Sequence, residues 1–486
     1  MEEETWKQGR DHGTGSDLKM SKHATYQSPY SWRYGSETMR RVWSEEHKRE
    51  LWRQLWVWLA EVQVDYGLVT GEQVERLQSA VDQVDVARAL EIEGKIKHDL
   101  MAELQVFADQ TAEAGGVLHL GATSMDIKDN AAVLQIREAS RLIRDRLGRV
   151  LDLLADQIER HAGLSILAFT HLQPAEPTTL GYRLAYYAQD LLESFRELSV
   201  LMENTRAKGF TGAVGTSASF QDLIGEEQLP EFQDRLADKM GLEFFPVVSQ
   251  TYPRSQDYRV LNILAGIGAV LYKFAFDLRL LQNPLHGEWA EGFGADQVGS
   301  SAMPFKRNPI LAEKMDSLGR LIAQLPRVAW DNAAHSLLER TLDDSANRRT
   351  ILPEAFLIAD EMLLAGTKIL ESLQIDPERM KHNLARFGPF AAVERVLMAL
   401  SRKGADRQDM HELLRVYSLQ AWEEIKEGNP NPLFDSLAAD PEITGYLTPE
   451  ELQDLLVVED YHGDAPLRAR KLAASVRREV QALREA

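Results

Sequence analysis

The chain lacks several features that would point to particular classes of protein. It has no cysteine among its 486 residues, which excludes disulfide bonds, thiolate metal sites and cysteine nucleophiles. Its polar first residues, MEEETWKQGRDHG, contain no apolar core of a signal peptide. The longest apolar run, residues 260–272, includes Asn262 and is too short to cross a membrane. These absences favour a cytoplasmic protein with no membrane partner.

Positive charge is also scarce. Lysine and arginine number 55 against 75 aspartate and glutamate residues, which gives a formal net charge of -20. No basic run stands out that could follow a phosphate backbone, so nucleic acid is not an expected partner. A site for an anionic substrate would have to be locally positive, against the field of the whole molecule.

Helical periodicity dominates the chain from Met39 onward. Three long segments show it most strongly: Ala139, Leu142, Ile143, Leu147, Val150, Leu154 and Ile158; Leu180, Leu184, Tyr187, Leu191, Phe195, Leu198 and Met202; and Val260, Leu264, Ile267, Leu271, Phe274, Leu278 and Leu281. Long helices with more than one apolar face are typical of a bundle shared between subunits. No alternating run predicts a substantial sheet, and there is no dinucleotide motif and no internal repeat. The sequence therefore predicts an all-α fold.

A chain of 486 residues is too long to fold around one hydrophobic core. Residues 1–24 are polar and aperiodic, which predicts a loose tail. We expect an N-terminal helical domain over 25–122, a central long-helix bundle over 123–376 and a C-terminal helical domain over 377–486. A turn-rich stretch at 427–432, EGNPNP, should interrupt the last of these.

The stretch GSSAMPFKRNP, residues 299–309, has neither helical nor strand periodicity. Asn308 followed by Pro309 predicts a helix start, with the asparagine as N-cap. The free N–H groups of such a start favour an anion, and Lys306 lies just upstream. The stretch therefore predicts a mobile lid that closes over a carboxylate, because glycines precede Ser300 and Lys306.

Two further stretches have an anion-binding character. In GATSMDIKDN, Thr123 and Asp126 have the spacing of a capping box, which predicts a helix start. An equally good interpretation is that the hydroxyl groups of Thr123 and Ser124 donate hydrogen bonds to a carboxylate. In ERTLDDSANRR, three arginines lie close to a serine and two aspartates, either on a solvated, salt-bridged helix face or in a clamp for phosphate or carboxylate. They are Arg340, Arg348 and Arg349, with Ser345 between them.

His171 lies in FTHLQPAEPTTLG, in a loop before a core helix. A lone histidine is more often structural. In this position, however, it is also a candidate proton donor near neutral pH.

These stretches, in the same order and at compatible spacing, resemble the fumarase/aspartase superfamily. HLGATS, QTYPRSQD and ERTLDDSANRR, with SRKGADRQDMHELLR near the C-terminus, are similar to its adenylosuccinate-cleaving branch. The resemblance covers roughly residues 26–417. It implies an all-helical, three-domain subunit in a homotetramer with a long central helical bundle, and active sites built from three subunits.

The resemblance also implies the reaction: a carbon–nitrogen lyase that releases fumarate from adenylosuccinate, giving AMP, and from its imidazole precursor SAICAR, giving AICAR. No cofactor and no metal are expected. By this likeness Ser300 is the general base and His171 the general acid, and His98 either transfers a proton or positions phosphate. The succinyl carboxylates are held by Lys306, Asn308, Thr123 and Ser124.

Further substrate contacts follow from the same likeness. They are Arg33, Tyr34, Lys97, Asp99, Gln250, Lys314, Arg340, Ser345 and Arg349. Lys97 and Lys314 stand where relatives often carry arginine, and Phe305 where tyrosine is frequent. Lysine keeps the charge but lacks the planar, two-pronged grip of arginine.

Two alternatives remain open from the sequence. One is another fumarate-releasing lyase of the superfamily, such as an argininosuccinate lyase. The other is a helical scaffold that has kept the fold and lost the chemistry; the intact set of Ser300, Lys306, Asn308 and His171 argues against it.

Overall fold

The computed structural model describes residues 25–294 and 296–485; the expected tail at residues 1–24 lies outside the described residues. The helices, in chain order, are α1 (Glu37–Val42), α2 (Glu45–Val64), α3 (Gly71–Ala80), α4 (Val86–Ile96), α5 (Asp99–Thr111), α6 (Ser124–Arg160), α7 (Leu180–Asn204), α8 (Ala218–Ile224), α9 (Leu229–Met240), α10 (Ser255–Gln282), α11 (Ile310–Ile322), α12 (Leu325–Ala334), α13 (Asp344–Ser372), α14 (Pro377–Arg402), α15 (Arg407–Lys426), α16 (Leu433–Ala439), α17 (Pro441–Thr444), α18 (Pro449–Leu456) and α19 (Ala465–Glu485). The strands are β1 (Ser165–Thr170), β2 (Gln173–Thr179), β3 (Trp289–Ala290) and β4 (Gln374–Ile375), and short 3-10 helices span Pro29–Ser31, Ala112–Val117 and Glu226–Gln228.

The main core is a bundle of α6, α7, α10, α11 and α13, whose apolar faces form one buried cluster. The three periodic segments predicted from the sequence fall within α6, α7 and α10, and each of these helices buries that face. The prediction of an all-α fold is therefore confirmed. The turn at residues 427–432 also separates α15 from α16, as expected.

Helix α10 packs tightly on α11. A Cβ atom at Gly268 would lie 2.7 Å from Ile322 Cγ2, and one at Gly319 would lie 2.7 Å from Tyr272 Cδ2. The opposite face of α10 remains exposed in the single chain, from Asn262 through Gly266 to Phe276. By length and apolar composition alone α10 is a candidate membrane span, but its other face forms part of the bundle core.

Two smaller cores flank the bundle. One joins α2, α3 and α5 to the first turns of α6 and to residues 207–242. The other joins α14, α15, α16 and α18. The last helix, α19, returns to the bundle, where Ala469, Ala473, Val476 and Val480 join the core. The division into three domains remains a prediction, and α19 packs with the central helices and not with its sequence neighbours.

The β structure in the described residues is slight. Strands β1 and β2 form an antiparallel hairpin with Ser165 opposite Thr179 and an irregularity between Leu167 and Phe169. Strands β3 and β4 pair antiparallel over two residues each, which ties the segment before the GSSAMPFKRNP loop to the end of α13.

Candidate functional site

A cavity of about 160 Å³ lies where α5, α6 and α13 begin. Its polar lining includes Glu45, Lys48, Asp99, Lys128, Asp129, Arg340, Asp344, Ser345, Arg348 and Arg349, and its apolar lining includes Trp43, Trp52, Met125, Leu342, Leu352 and Pro353. Helices α6 and α13 begin within the motifs GATSMDIKDN and ERTLDDSANRR noted in the sequence. Asp99, Arg340, Ser345 and Arg349 are thereby brought to one place.

Asp99 organises the positive charge of this cavity. Its carboxylate accepts hydrogen bonds from Lys128 Nζ at 2.8 Å and from Arg349 Nη2 at 2.9 Å, and its Oδ1 accepts the N–H of Leu100 at 2.8 Å. Burial alone would raise the pKa of this carboxyl, but the Lys128 ammonium and the other donors lower it to about 2. Asp99 is thus ionised at neutral pH and holds two cations, while the Arg349 side chain remains 54% exposed.

His98 and Ser124 contact each other, and their chain neighbours Asp99 and Met125 line the cavity. His98 is the N-cap of α5, and its Nδ1 accepts the N–H of Met101 at 3.3 Å. In the neutral ring the proton is therefore on Nε2, which faces Ser124 Oγ at 3.3 Å. Lys97 precedes this pair in a left-handed backbone conformation, and its ammonium donates to the carbonyl of Gly94.

Helix α6 begins as the capping-box spacing predicted. Thr123 is the N-cap, and its N–H donates to Asp126 Oδ2 at 2.8 Å. Asp126 is itself fully buried against the Lys208 ammonium. This buried ion pair, which sequence reasoning missed, fixes the position of Thr123 and Ser124.

The arginines of ERTLDDSANRR divide into two groups. Arg348 is a structural residue, because its guanidinium donates to Asp257 and to the Tyr252 hydroxyl, each at 2.7 Å. Arg340 instead pairs with Asp344 at 2.9 Å, beside the cavity. The salt bridges of the motif therefore explain only part of it. Arg349 and Ser345 also line the cavity.

Gln250 lies next to this motif. Its N–H donates to the carbonyl of Glu339 at 3.1 Å, immediately before Arg340. Lys128 was missed in the sequence, although it follows Ser124 by four positions on α6 and so lies on the same helix face. That spacing was the signal that could have found it.

The GSSAMPFKRNP loop folds back on itself. Asn308 Nδ2 donates to the carbonyl of Gly299 at 2.9 Å, and a Cβ atom at Gly299 would lie 2.0 Å from the carbonyl oxygen of Lys306. Only glycine fits so close an approach. Ser300 Oγ accepts the N–H groups of Ala302 at 3.3 Å and Met303 at 3.1 Å. The loop thus holds Ser300, Lys306 and Asn308 in one compact, largely exposed unit.

The helix that follows this loop differs from the prediction in two ways. Helix α11 begins at Ile310 with Pro309 as its N-cap, and Asn308 binds the loop backbone instead of capping the helix. The free N–H groups expected to favour a ligand anion are already bound. Leu311 N donates to both carboxylate oxygens of Glu291 at 3.1 Å, and Ala312 N donates to Oε2 at 3.0 Å.

His171 lies at the tip of the β1–β2 hairpin, so the loop expected before the core helix α7 is a hairpin turn between two strands that were not predicted. His171 and Leu172 form the turn with φ angles of 53° and 59°, the geometry of a tight two-residue hairpin turn. The His171 side chain is exposed. The strands escaped detection because Pro174 and Pro177 break the alternating pattern that predicts a strand.

Arg33 and Tyr34 lie next to a segment that is held against the middle of α13. The N–H of the next residue, Gly35, donates to Glu361 Oε2 at 2.9 Å, and the other oxygen of Glu361 accepts the Lys314 ammonium. The Arg33 guanidinium lies 5.9 Å from the centre of the Tyr34 ring. Arg33, Tyr34 and Lys314 therefore form a group of their own around Glu361.

The expected site residues consequently occupy separate places in one chain. In the part of the chain that the structure describes, no hydrogen bond or ion pair joins the GSSAMPFKRNP loop, the His171 hairpin tip and the Asp99 cavity to one another. Among these described residues, no group of three or more histidine, aspartate and glutamate residues is arranged to hold a metal ion.

Comparison with known proteins identifies the class. A family model described as "Lyase" matches residues 37–323, and one described as "Adenylosuccinate lyase C-terminus" matches residues 389–472. Solved structures of the same fold include a fumarate lyase from Mesorhizobium sp. BNC1, with a TM-score of 0.80 and 24% identity over 93% of this chain and 99% of that one. A 3-carboxy-cis,cis-muconate lactonizing enzyme from Pseudomonas putida has a TM-score of 0.83 with the same identity and coverage. The fold and the family match define a lyase of the fumarase/aspartase superfamily.

Curated relatives narrow the class. Adenylosuccinate lyase from Schistosoma mansoni is 41% identical over 87% of this chain and 89% of its own length. The enzymes from Schizosaccharomyces pombe and Methanocaldococcus jannaschii are 37% and 34% identical, over 92% and 93% of this chain and 94% and 95% of theirs. The chain belongs to the adenylosuccinate lyase family, and its function is that of an adenylosuccinate lyase. The alternatives of an argininosuccinate lyase and of a non-catalytic scaffold are accordingly not favoured.

Proposed function

We propose that Ser300 and His171 are the acid–base pair of this lyase. Ser300 Oγ takes the proton from the succinyl carbon beside a carboxylate, and those electrons form the new C=C bond of fumarate. The electron pair of the breaking C–N bond goes to the purine amino nitrogen, which receives a proton from His171. The N–H groups of Ala302 and Met303 at Ser300 Oγ support this role, because they stabilise negative charge on the oxygen.

Acid–base catalysis alone does not account for the rate enhancement, so the enzyme must also stabilise the negative charge that develops on the substrate carboxylate. An acid or base is worth roughly 10²- to 10⁴-fold, about 3 to 5 kcal/mol each, whereas enzymes supply about 8 to 23 kcal/mol in all. Donors aimed at developing charge are worth about 3 to 4 kcal/mol apiece. We assign this part to Lys306 and Asn308 on the loop, with Thr123 and Ser124 at the start of α6.

The nucleotide part of the substrate is assigned to the Asp99 cavity and its neighbours. Arg340, Ser345 and Arg349 line one wall, and Asp99 positions Arg349 through their 2.9 Å ion pair. The remaining assigned contacts are His98, Lys97, Gln250, Arg33, Tyr34 and Lys314. Because the reacting succinyl-amino group is common to both, we propose that adenylosuccinate and SAICAR are both substrates.

We further propose that the enzyme is a cytoplasmic homotetramer of three-domain subunits with composite sites. The absence of any hydrogen bond or ion pair between Ser300 and His171 within the described part of one chain supports this, because a composite site would bring the two groups together from different subunits. The exposed face of α10, along Asn262, Gly266 and Phe276, is a suitable surface for central contacts between subunits.

Mixing two inactive variants tests the composite site. Ser300→Ala and His171→Ala should each collapse turnover. If base and acid come from different subunits, unfolding and refolding the two together should restore about a quarter of wild-type activity, because one site in four receives both intact groups. A mixture of Ser300→Ala with Lys306→Ala is the matched control and should remain inactive, since one loop supplies both residues. No recovery in the first mixture would contradict the proposal.

A further inference from the structure

Two side chains that the mechanism above does not use join the segment upstream of the GSSAMPFKRNP loop to the end of the loop and the start of α11. Gln282, the last residue of α10, accepts the N–H of Glu291 through Oε1 at 3.1 Å. Its Nε2 donates to the carbonyl of Arg307 at 3.2 Å. One amide group therefore bridges Glu291, eight positions before the loop, and Arg307 near the end of the loop.

Glu291 makes a second connection between the same two segments. Only 4% of Glu291 is exposed, and its carboxylate binds the N–H groups of Leu311 and Ala312 in the first turn of α11. The charge lies at the positive end of the helix dipole, which it stabilises. Burial raises the pKa of this carboxyl, and the N–H groups of Ala312 and Leu311 act in the opposite direction.

The position of Glu291 is itself fixed by the core. Trp289 and Ala290, just upstream, pair with Ile375 and Gln374. A Cβ atom at Gly292, just downstream, would lie 2.4 Å from Ser372 Cβ, so the backbone is pressed against the end of α13. Between this fixed point and α11, residues 301–307 are all exposed.

We propose that Glu291 and Gln282 form a clamp that positions the catalytic loop for the lyase reaction. The clamp holds both stems against the core and confines motion to the segment between them, so that each closure returns Ser300 and Lys306 to the same place. Glu291 is a positioning residue, since it acts through the loop and α11 and not on substrate. This inference rests on the roles proposed above for Ser300 and Lys306.

The test replaces Glu291 by glutamine, which keeps the shape but removes the charge facing the two N–H donors. We expect kcat for fumarate release to fall by about tenfold or more, KM to change by less than about threefold, and the unfolding midpoint to stay near that of wild type. Amide hydrogen exchange should quicken in residues 299–313. Glu291→Asp, which keeps the charge on a shorter arm, should recover part of kcat.

Two further variants keep the result interpretable. Gln282→Leu, at a partly exposed site, should also lower kcat and quicken exchange in the loop. Asp406→Asn is the control, because Asp406 caps α15 by accepting the N–H groups of Gln408 and Asp409 at 2.8 and 3.1 Å, far along the chain from the loop. It should lower thermal stability slightly and leave kcat unchanged.

Unchanged kcat and unchanged loop exchange in Glu291→Gln would overturn the clamp. Loss of kcat in proportion to lost thermal stability, without faster loop exchange, would overturn it as well. If the base assignment alone is wrong, Ser300→Ala will stay active while the exchange in Glu291→Gln still quickens. The two ideas can therefore fail separately.

Discussion

Asp99 shows how one carboxylate can define a binding cavity in an acidic protein. It gathers Lys128 and Arg349 at the starts of two helices that are far apart in sequence. The field of the whole chain is negative, with a formal charge of -20. Local positive charge for a phosphorylated, doubly carboxylated substrate must therefore be concentrated by such pairing.

Replacing Arg349 by leucine should raise KM for adenylosuccinate by about one to two orders of magnitude, because a charge-assisted contact is lost. Steady-state kinetics at constant ionic strength measures this. Arg415→Leu is a matched control, since Arg415 is similarly exposed, at 50%, and pairs with Glu412 on a distant helix. An unchanged KM in Arg349→Leu would remove this residue from the clamp.

Asp99 also gives the cavity a pH dependence. Its folded-state pKa, about 2, lies below the ordinary value of 3.8. The ionised form therefore stabilises the fold fully above pH 3.8, progressively less below it, and not at all once the pH falls below about 2. The unfolding midpoint of Asp99→Asn should lie below that of wild type at about pH 5 and converge with it in acid. If the difference between the two unfolding midpoints were the same at every pH, the charge of Asp99 would not be the cause of the stabilisation.

Ser300→Ala should bind substrate with near-normal affinity and lose turnover by several orders of magnitude. Single-turnover kinetics and equilibrium binding separate the two effects. Turnover near the wild-type rate would mean that another group is the base.

Single residues also show which parts of the site the sequence predicts. The sequence singles out Ser300, Lys306 and His171 as candidates because they lie in polar, aperiodic stretches between helices, and their roles remain predictions. Glu291 was not, because one glutamate among 75 acidic residues carries no local signal. Its partners lie about 20 positions away, and only the folded chain brings them together.

Helices were the elements best predicted from the sequence. The periodicity of α6, α7 and α10 is sustained over many turns, and burial of the predicted faces follows directly from it. The β1–β2 hairpin was missed because short strands with prolines carry no clear period. The start of α11 was misplaced by one residue, since Asn308 turned inward to the loop backbone.

The contact between α10 and α11 gives a prediction at this scale. Gly268→Val should destabilise the subunit by about 1 to 3 kcal/mol, because the added carbon atoms meet Ile322. Gly71→Val is the control, since nothing lies within 4 Å of the Cβ position at the first residue of α3. Thermal unfolding measures both. Equal stability of the two variants would contradict the close helix packing.

The whole molecule raises the question of what covers the exposed face of α10. Gly266 has nothing within 4 Å of its Cβ position in the single chain, although Gly268, two residues on, is tightly packed. Sequence periodicity predicted that this helix is surrounded, and the single chain surrounds only one side of it. The return of α19 to the bundle was not predictable, because the sequence of a helix does not specify which distant helices it contacts.

Gly266→Arg should therefore disrupt assembly and leave the subunit fold intact. Sedimentation velocity should show smaller species with unchanged helical circular dichroism, and activity should fall with the loss of tetramer if sites are composite. Ala439→Arg adds the same bulk at an exposed position of α16 and should leave assembly unchanged. A tetramer of full activity in Gly266→Arg would place the interface elsewhere.

The carboxylate of Glu291 at the start of α11 has a bearing on inhibitor design. A dianionic fumarate mimic gains nothing from the amide groups of Leu311 and Ala312, which are already bound to that carboxylate. Extending such a compound toward this helix would bring two negative charges together. A neutral or cationic extension in that direction is the better choice for medicinal chemistry.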